Sequence, residues 1–138
     1  MFVEKNRVFF IADDDQDDQE LFVGALQQID ESCVCLTAFD GEDAIQKLTG
    51  TTLPVLPDII FLDLNMPKIN GRQCLARIKE SPVLQHIPVI IYSTSADAKE
   101  IQEADQLGAA LFMQKPNRFN DLYTALEKIV QHDWHSAL

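Results

Sequence analysis

The stretch IIFLDLNMP, from Ile59 to Pro67, places an apolar run directly before an aspartate near the middle of the chain. The run Ile59–Leu62 is short and apolar at every position, which is typical of a strand buried on both faces of a parallel sheet. Such a strand needs helices on both sides, and this requirement decides the fold. Four further runs share the pattern: Val8–Ala12, Cys33–Thr37, Val89–Tyr92 and Ala109–Met113.

Amphipathic segments follow these runs, with apolar residues at spacings of three and four that predict helices with one buried face. Gly108 is a helix stop after the fourth segment. The stretch Thr49–Asp58, which holds Pro54 and Pro57, is predicted to be a loop. Alternating β and α segments predict an α/β fold with a parallel sheet covered by helices on both faces. The predicted core positions of the helices are Phe22, Ala25, Leu26 and Ile29; Ala44 and Leu48; Gly71, Cys74, Leu75 and Ile78; Ile101, Ala104 and Leu107; and Phe119, Leu122, Leu126 and Ile129.

The composition is that of a globular protein, and the net charge argues against polyanionic ligands. Hydrophobic residues make up 46% of the chain and charged residues 24%, values that exclude a disordered or collagen-like chain. The net charge of −11 argues against nucleic acid or an anionic membrane as a ligand, because phosphates are bound by clustered cations. No apolar run approaches the ~20 residues of a membrane span. Cys33, Cys35 and Cys74 are interpreted as reduced core thiols, which favours the cytoplasm.

Polar residues follow four of the predicted strands at the point where each strand ends. Ligands of open α/β sheets bind just beyond the carboxyl ends of the strands, so these residues form a candidate site. They are Asp13, Asp14 and Asp15 after the first strand, Asp63 after the third, Ser93, Thr94 and Ser95 after the fourth, and Gln114, Lys115 and Pro116 after the fifth.

The chemistry of this set points to a metal-assisted phosphoryl site. Clustered carboxylates repel one another and need a cation, and oxygen ligands suit Mg²⁺. An ion held by few carboxylates keeps coordination positions open, which phosphoryl oxygens can fill. Lys115 and a hydroxyl would complete the cradle. Asp63 ends the central strand between these groups and is the candidate nucleophile, which would give an acyl phosphate.

Taken together, these residues resemble the receiver domains of two-component response regulators, in the style of the chemotaxis regulator. The resemblance covers Val8 to Val130, and the spacing of residues 63, 93 and 115 is typical of the family. The motifs that carry it are Asp13–Asp14 after the first strand, Asp63 in FLDLNMP, Asn70–Gly71, Ser93 in IIYSTS, and Lys115–Pro116.

The resemblance implies a single receiver domain over residues 1–138, without an output domain. The implied fold is a flavodoxin-like, doubly wound (βα)5 sheet with strand order 2-1-3-4-5. The implied function is that of a cytoplasmic phosphoacceptor module and not of a turnover enzyme. Its phosphoryl donor would be a histidine kinase or a phosphotransfer protein, its downstream target is unknown, and it would be a monomer or a weak homodimer. The acidic run and the proline-bearing loop resemble, more narrowly, the stand-alone receivers found beside bacterial phytochromes and hybrid kinases.

The same resemblance implies roles for the acidic residues of the site. Asp63 would accept the phosphoryl group and also contact the Mg²⁺ ion. Asp14 would ligate the ion directly, Asp13 would act through water, and the backbone carbonyl of Asn65 would be a further ligand.

Roles are also implied for the residues of the last two strands. Ser93 and Thr94 would bind phosphoryl oxygens, and Lys115 would pair with the phosphate. Phe112 stands where tyrosine is frequent and would be the switch residue whose rotamer reports the state of the site. The surface of the fourth helix, fifth strand and fifth helix would then change for a partner. The Lys115–Pro116 bond would be cis.

The remaining acids of the first helix have a simpler interpretation. Asp17, Asp18 and Glu20 are predicted to form a solvated first turn, where acidic side chains are favoured by the helix dipole. Asp15 is predicted to be a loop or N-cap residue.

Two other functions use similar residues. A phosphatase of the haloacid dehalogenase type also has a nucleophilic aspartate after a central strand, but it needs a second aspartate two positions later, where this chain has Asn65. A pseudo-receiver that has lost phosphorylation would not need the full acidic set and Lys115.

Overall fold

A five-stranded sheet forms the centre of the computed structural model, which describes residues 7–50 and 53–132. The strands are β1 (Val8–Ala12), β2 (Val34–Ala38), β3 (Ile59–Leu62), β4 (Val89–Ser93) and β5 (Leu111–Gln114). The helices are α1 (Gln16–Ile29), α2 (Gly41–Thr49), α3 (Gly71–Glu80), α4 (Ala98–Gln106) and α5 (Phe119–Gln131). Within the described residues no helix has the length and apolar character needed to cross a membrane. Positions 1–6 and 133–138 of the predicted domain, and positions 51–52 of the predicted loop, lie outside the described residues.

The sheet confirms the predicted doubly wound topology. Its strands lie in the order β2-β1-β3-β4-β5, and every neighbouring pair is parallel. Helices α2, α3 and α4 cover one face, and α1 and α5 cover the other. Because β1 and β3 lie at the centre and are covered on both faces, every one of their residues is buried and apolar.

An aromatic group forms the core beneath the carboxyl end of the sheet on the α1–α5 face. Phe22 of α1 packs edge-on against Phe61 of β3, with the ring centroids 4.7 Å apart. Tyr92 of β4 completes the group at 5.6 Å from Phe22 and 6.3 Å from Phe61. Tilted and edge-on ring pairs of this kind add to the free energy of burying the side chains.

Three strands differ from the sequence prediction at their boundaries: β2, β4 and β5 each end one residue later than predicted, and β2 and β5 also begin later. The second strand begins one residue later, because the N–H of Cys33 donates to the carbonyl of Asp30 in the turn that follows α1. The fifth strand begins at Leu111 and not at Ala109, because the N–H of Ala109 donates back to the carbonyl of Ala104 at the end of α4. The predicted helix stop is confirmed, since Gly108 has a φ of +99°.

The predicted buried stripe of α4 is largely wrong. Ala104 is buried, but Ile101 is 39% exposed and Leu107 is 36% exposed. The reason is that α4 lies over the edge strand β5, and in the described part of the chain the sheet extends no further beneath the apolar face of this helix. A surface ion pair joins α4 to α3, with Arg72 Nη1 2.6 Å from Glu103 Oε2.

Gly71 allows α3 to begin directly against the end of β3. A Cβ at this position would lie 2.8 Å from the Cα of Leu64 and closer still to the carbonyl oxygen of Asp63. The N–H of Gly71 donates to the carbonyl of Leu64 at 3.0 Å, and Asn70 and Gln73 form a capping box at the same turn. The start of α3 therefore packs on the backbone that carries Asp63.

We expect Gly71→Ala to destabilise the protein by about 1–3 kcal/mol, because backbone atoms must move to admit the methyl group. Gly24→Ala is the matched control. Gly24 lies inside α1 with open space where a methyl group would lie, so alanine there should stabilise the helix by up to ~1 kcal/mol. Urea unfolding of both variants measures the difference. Equal stability of the two would contradict the close approach at Gly71.

Candidate functional site

Backbone hydrogen bonds extend the sheet past the ends of its strands and align the residues that follow. The N–H of Asp13 donates to the last carbonyl of β2 at 3.1 Å, and the N–H of Asp63 donates to the last carbonyl of β1 at 2.9 Å. The N–H of Lys115 donates to the carbonyl of Ser93 at 2.7 Å. The structure therefore brings Asp13, Asp63, Ser93 and Lys115 to one edge of the sheet.

Three carboxylates at this edge are arranged as a possible cation site. Asp13, Asp14 and Asp63 each offer an oxygen, and these oxygens lie within 4.8 Å of one another. Asp13 is fully buried and Asp63 is nearly so, whereas Asp14 is exposed. The donor set is therefore all-oxygen and open to solvent on one side, which fits a hard divalent ion that keeps part of its water shell.

Backbone N–H groups orient the two buried carboxylates. The N–H of Asp15 donates to Asp13 Oδ1 at 2.9 Å, and the N–H of Asn65 donates to Asp63 Oδ1 at 3.2 Å. Burial raises the pKa of Asp13 to about 7, against the lowering effects of Lys115 and of the Asp15 N–H. Asp13 therefore holds a proton more readily than an exposed aspartate does.

The ammonium group of Lys115 is surrounded by carboxylates. Its Nζ lies 2.7 Å from Asp13 Oδ2, 2.8 Å from Asp18 Oδ2 and 3.2 Å from Asp63 Oδ2. The side chain is only 7% exposed, and Nζ also lies 5.4 Å from the ring centroid of Tyr92. Burial lowers the pKa of Lys115, but the contacts with Asp13, Asp18 and Asp63 outweigh this and raise it, so the group stays charged.

The two hydroxyl residues after β4 differ in position. Ser93 is fully buried, and its Oγ accepts a hydrogen bond from the N–H of Ser95 at 3.3 Å. Thr94 is exposed, and its carbonyl accepts from the side-chain amide of Gln114 at 3.2 Å. Ser93 thus lies within the edge of the sheet, while Thr94 faces solvent above it.

Phe112 lies on β5, beside α4. It is partly buried and packs against the core on the α2–α3–α4 face. It also lines a groove of about 540 Å³ between α4 and β5, together with Ile101, Ala104 and Leu111.

The sequence interpretation of α1 misses two residues that hold the site together. It predicts a solvated Asp18, but this side chain binds Lys115; Asp17 and Glu20 are exposed. Gln19 is buried and donates from Nε2 to the carbonyls of Asp13 at 2.7 Å and of Ala38 at 2.6 Å.

The helical spacing of residues in α1 could have identified both Asp18 and Gln19 as buried-side residues. Asp18 precedes Phe22 by four positions and Gln19 precedes it by three, so both share the buried stripe of α1. Asp15 follows its prediction, since its side chain caps α1 by accepting from the N–H of Asp18 at 3.1 Å.

The expected cis bond at Lys115–Pro116 is not found, and the described residues contain no cis peptide bond. Trans is the ordinary preference of X–Pro bonds, by about 0.5–1 kcal/mol. Lys115 reaches all three carboxylates with this bond trans.

Sequence comparisons match the chain to one family. A family model described as the response regulator receiver domain matches residues 9–127. Response regulator Rcp1 of Synechocystis sp. is 36% identical over 73 residues, which cover 53% of this chain and 50% of Rcp1. Protein PilG of Pseudomonas aeruginosa is 32% identical over 95 residues, which cover 69% of this chain and 67% of PilG. The match thus spans about half the length of Rcp1 and also of the probable methanogenesis regulatory protein FilR2 of Methanothrix harundinacea.

Solved structures agree over nearly the whole chain. The crystal structure of the phosphorylated cyanobacterial phytochrome response regulator RcpA has a TM-score of 0.87 and 30% identity, and the match covers 97% of this chain and 98% of RcpA. The Mn²⁺-bound form of Rcp1 has a TM-score of 0.82 and 27% identity, with 96% of each chain covered. The narrower resemblance to phytochrome-associated receivers is confirmed. With the fold, the acidic edge and these matches in agreement, the chain belongs to the response regulator receiver domain family.

Proposed function

We propose that this receiver accepts a phosphoryl group on the carboxylate of Asp63, in a reaction that depends on Mg²⁺. The observation that carries the proposal is the position of Asp63. Its carboxylate belongs to the three-aspartate cluster and at the same time lies 3.2 Å from the Lys115 ammonium. A nucleophilic oxygen between a cation site and a fixed positive charge is suited to attack on an anionic phosphoryl group.

The donor set favours Mg²⁺ at the cluster. Asp14 and Asp63 would hold the ion directly, Asp13 through water, and the carbonyl of Asn65 would be a further ligand. The bound ion would offset negative charge on the transferring phosphoryl oxygens. The Mn²⁺-bound form of Rcp1 supports a divalent ion at a site of this kind.

Phosphoryl transfer itself asks little covalent chemistry of the protein. One carboxylate oxygen of Asp63 forms a bond to phosphorus while the bond from phosphorus to the donor breaks. The other residues would contribute orientation and charge: Lys115 would neutralise developing negative charge, and the buried hydroxyl of Ser93 would donate to a phosphoryl oxygen. Thr94 would bind the outer side of the group with its exposed hydroxyl or N–H.

The donor is proposed to be a histidine kinase or a phosphotransfer protein. The phosphorylated state of RcpA and the phytochrome association in its name support a sensor kinase as the source. The chain would act as a signalling module in the cytoplasm, as a monomer or a weak homodimer, and not as a turnover enzyme. The net charge of −11 supports a protein partner over a nucleic acid.

The output is proposed to pass through Phe112. Movement of Ser93 toward a phosphoryl oxygen would leave space beside β5, and the Phe112 ring would turn inward to fill it. Because Phe112 lines the groove between α4 and β5, its rotation would change the α4–β5–α5 surface that a partner contacts.

The acceptor is tested with acetyl phosphate and Mg²⁺. Wild-type protein should gain acid-labile, hydroxylamine-sensitive phosphate, and Asp63→Asn should gain none, because an amide is not a nucleophile of this kind. Asp17→Asn, an exposed change on the same side of the molecule, should be labelled like wild type. Undiminished label on Asp63→Asn would overturn the assignment, and no label on wild type would favour a pseudo-receiver. Steady hydrolysis of a generic phosphomonoester would favour a phosphatase.

The metal site is tested by calorimetry of Mg²⁺ binding. Asp14→Asn should weaken Mg²⁺ affinity by about 10-fold or more, the scale seen when groups that support a metal site are removed. Asp14 is exposed, so the variant should fold as well as wild type. Asp17→Asn removes the same charge nearby and should change Mg²⁺ affinity far less. Equal affinities of the two variants would exclude Asp14 as a ligand.

The switch is tested by aromatic and methyl NMR with and without beryllofluoride, a mimic of the phosphoryl group. In wild-type protein, signals of the Phe112 ring and of Ile101 should shift when beryllofluoride and Mg²⁺ are both present. Ser93→Ala should still bind beryllofluoride, but the shifts at Phe112 and Ile101 should be lost. If wild-type Phe112 has the same environment in both states, the switch lies elsewhere.

A further inference from the structure

Asp18 stands apart from the other two carboxylates that contact Lys115. Asp13 and Asp63 belong to the cluster suited to a cation, whereas Asp18 lies on the first turn of α1 and contacts the site through Lys115. Its side chain is 31% exposed, compared with 0% for Asp13 and 9% for Asp63. Of the three partners it is the one with most access to solvent.

The ammonium group is already shared among three carboxylates. Lys115 donates hydrogen bonds to Asp18 and Asp63, and Asp13 Oδ2 lies 2.7 Å from the same Nζ as an ion-pair contact. A phosphoryl oxygen on Asp63 must therefore compete with these carboxylates for the charge of Lys115. Asp13 is buried and held by the Asp15 N–H, and Asp63 carries the phosphoryl group itself. Asp18 is the partner that can turn toward water.

We propose that Asp18 is a positioning residue that competes with the phosphoryl group for the Lys115 ammonium and so weakens the hold of the site on that group. The proposal rests on the phosphoacceptor function proposed above and adds a residue that sets its strength. Asp18 keeps Lys115 at the carboxylates before phosphorylation, and it opposes the phosphoryl group afterwards by its negative charge.

The competing charge is close enough to matter. The oxygens of Asp18 and Asp63 contact the same Nζ, at 2.8 Å and 3.2 Å, so the two oxygens are at most 6.0 Å apart, and a phosphoryl group on Asp63 would lie near the Asp18 carboxylate. Repulsion at that range, partly screened by solvent, should change the affinity for a phosphoryl mimic by about 3- to 10-fold.

The test compares Asp18→Asn with Asp17→Asn by titrating each with beryllofluoride at saturating Mg²⁺. Asparagine keeps the shape of Asp18 and an oxygen that can accept from Lys115, but it removes the charge. We expect Asp18→Asn to bind beryllofluoride about 3- to 10-fold more tightly than wild type. Asp17→Asn removes one charge from the same turn of α1 without touching Lys115, and it should bind like wild type.

Comparison with Asp18→Ala, which removes the rest of the side chain as well as the charge, separates the effect of charge from that of side-chain position. Asp18→Ala should also bind beryllofluoride more tightly than wild type. Affinity of Asp18→Asn equal to that of Asp17→Asn, or weaker than wild type, would overturn the proposal. So would tight binding by Asp18→Ala alone, because that result assigns the effect to side-chain volume. If wild-type protein binds no beryllofluoride, the phosphoacceptor function itself fails, which is a different result from equal binding by the variants.

Discussion

The buried ammonium of Lys115 is the charge on which the acidic end of this sheet depends. Its Nζ contacts three carboxylates within 3.2 Å, and without it these like charges would repel one another at close range. The sheet fixes Lys115 through the backbone of Ser93, and the ring of Tyr92 lies near its Nζ. With Asp14, which lies beside Asp13 and Asp63, four carboxylates share this end of the sheet with one ammonium, and the excess negative charge is what a divalent cation would offset.

The fold and the place of the site could be predicted because both follow from features that neighbouring residues display. β1 and β3 have the predicted boundaries, since a run such as Ile59–Leu62 can stay apolar throughout only at the doubly covered centre of a sheet. Asp63 follows that run, so its carboxylate lies at the carboxyl edge. The polar residues that follow the other strands place the candidate site at the same edge, and the structure brings Asp13, Ser93 and Lys115 there.

What the sequence does not predict depends on contacts between distant parts of the chain. Asp18 and Lys115 are 97 residues apart, and an acidic first turn is ordinarily solvated, so only the helix period places Asp18 toward the core. The exposure of Ile101 depends on how far the sheet extends beneath α4, which the residues of α4 do not encode. The cis bond expected before Pro116 rests on the family resemblance alone, and the trans bond found there is the ordinary preference of X–Pro bonds.

The sparse burial of α4 has a consequence for how stability is distributed over the molecule. Ala104 is the one buried residue of this helix, and the ion pair that joins it to α3, between Arg72 and Glu103, lies at the surface. Local opening costs little free energy where few apolar contacts are lost, whereas opening of the fully buried strands β1 and β3 should cost close to the free energy of global unfolding. The protein therefore combines a tightly packed centre with one helix, α4, whose local opening should need much less free energy.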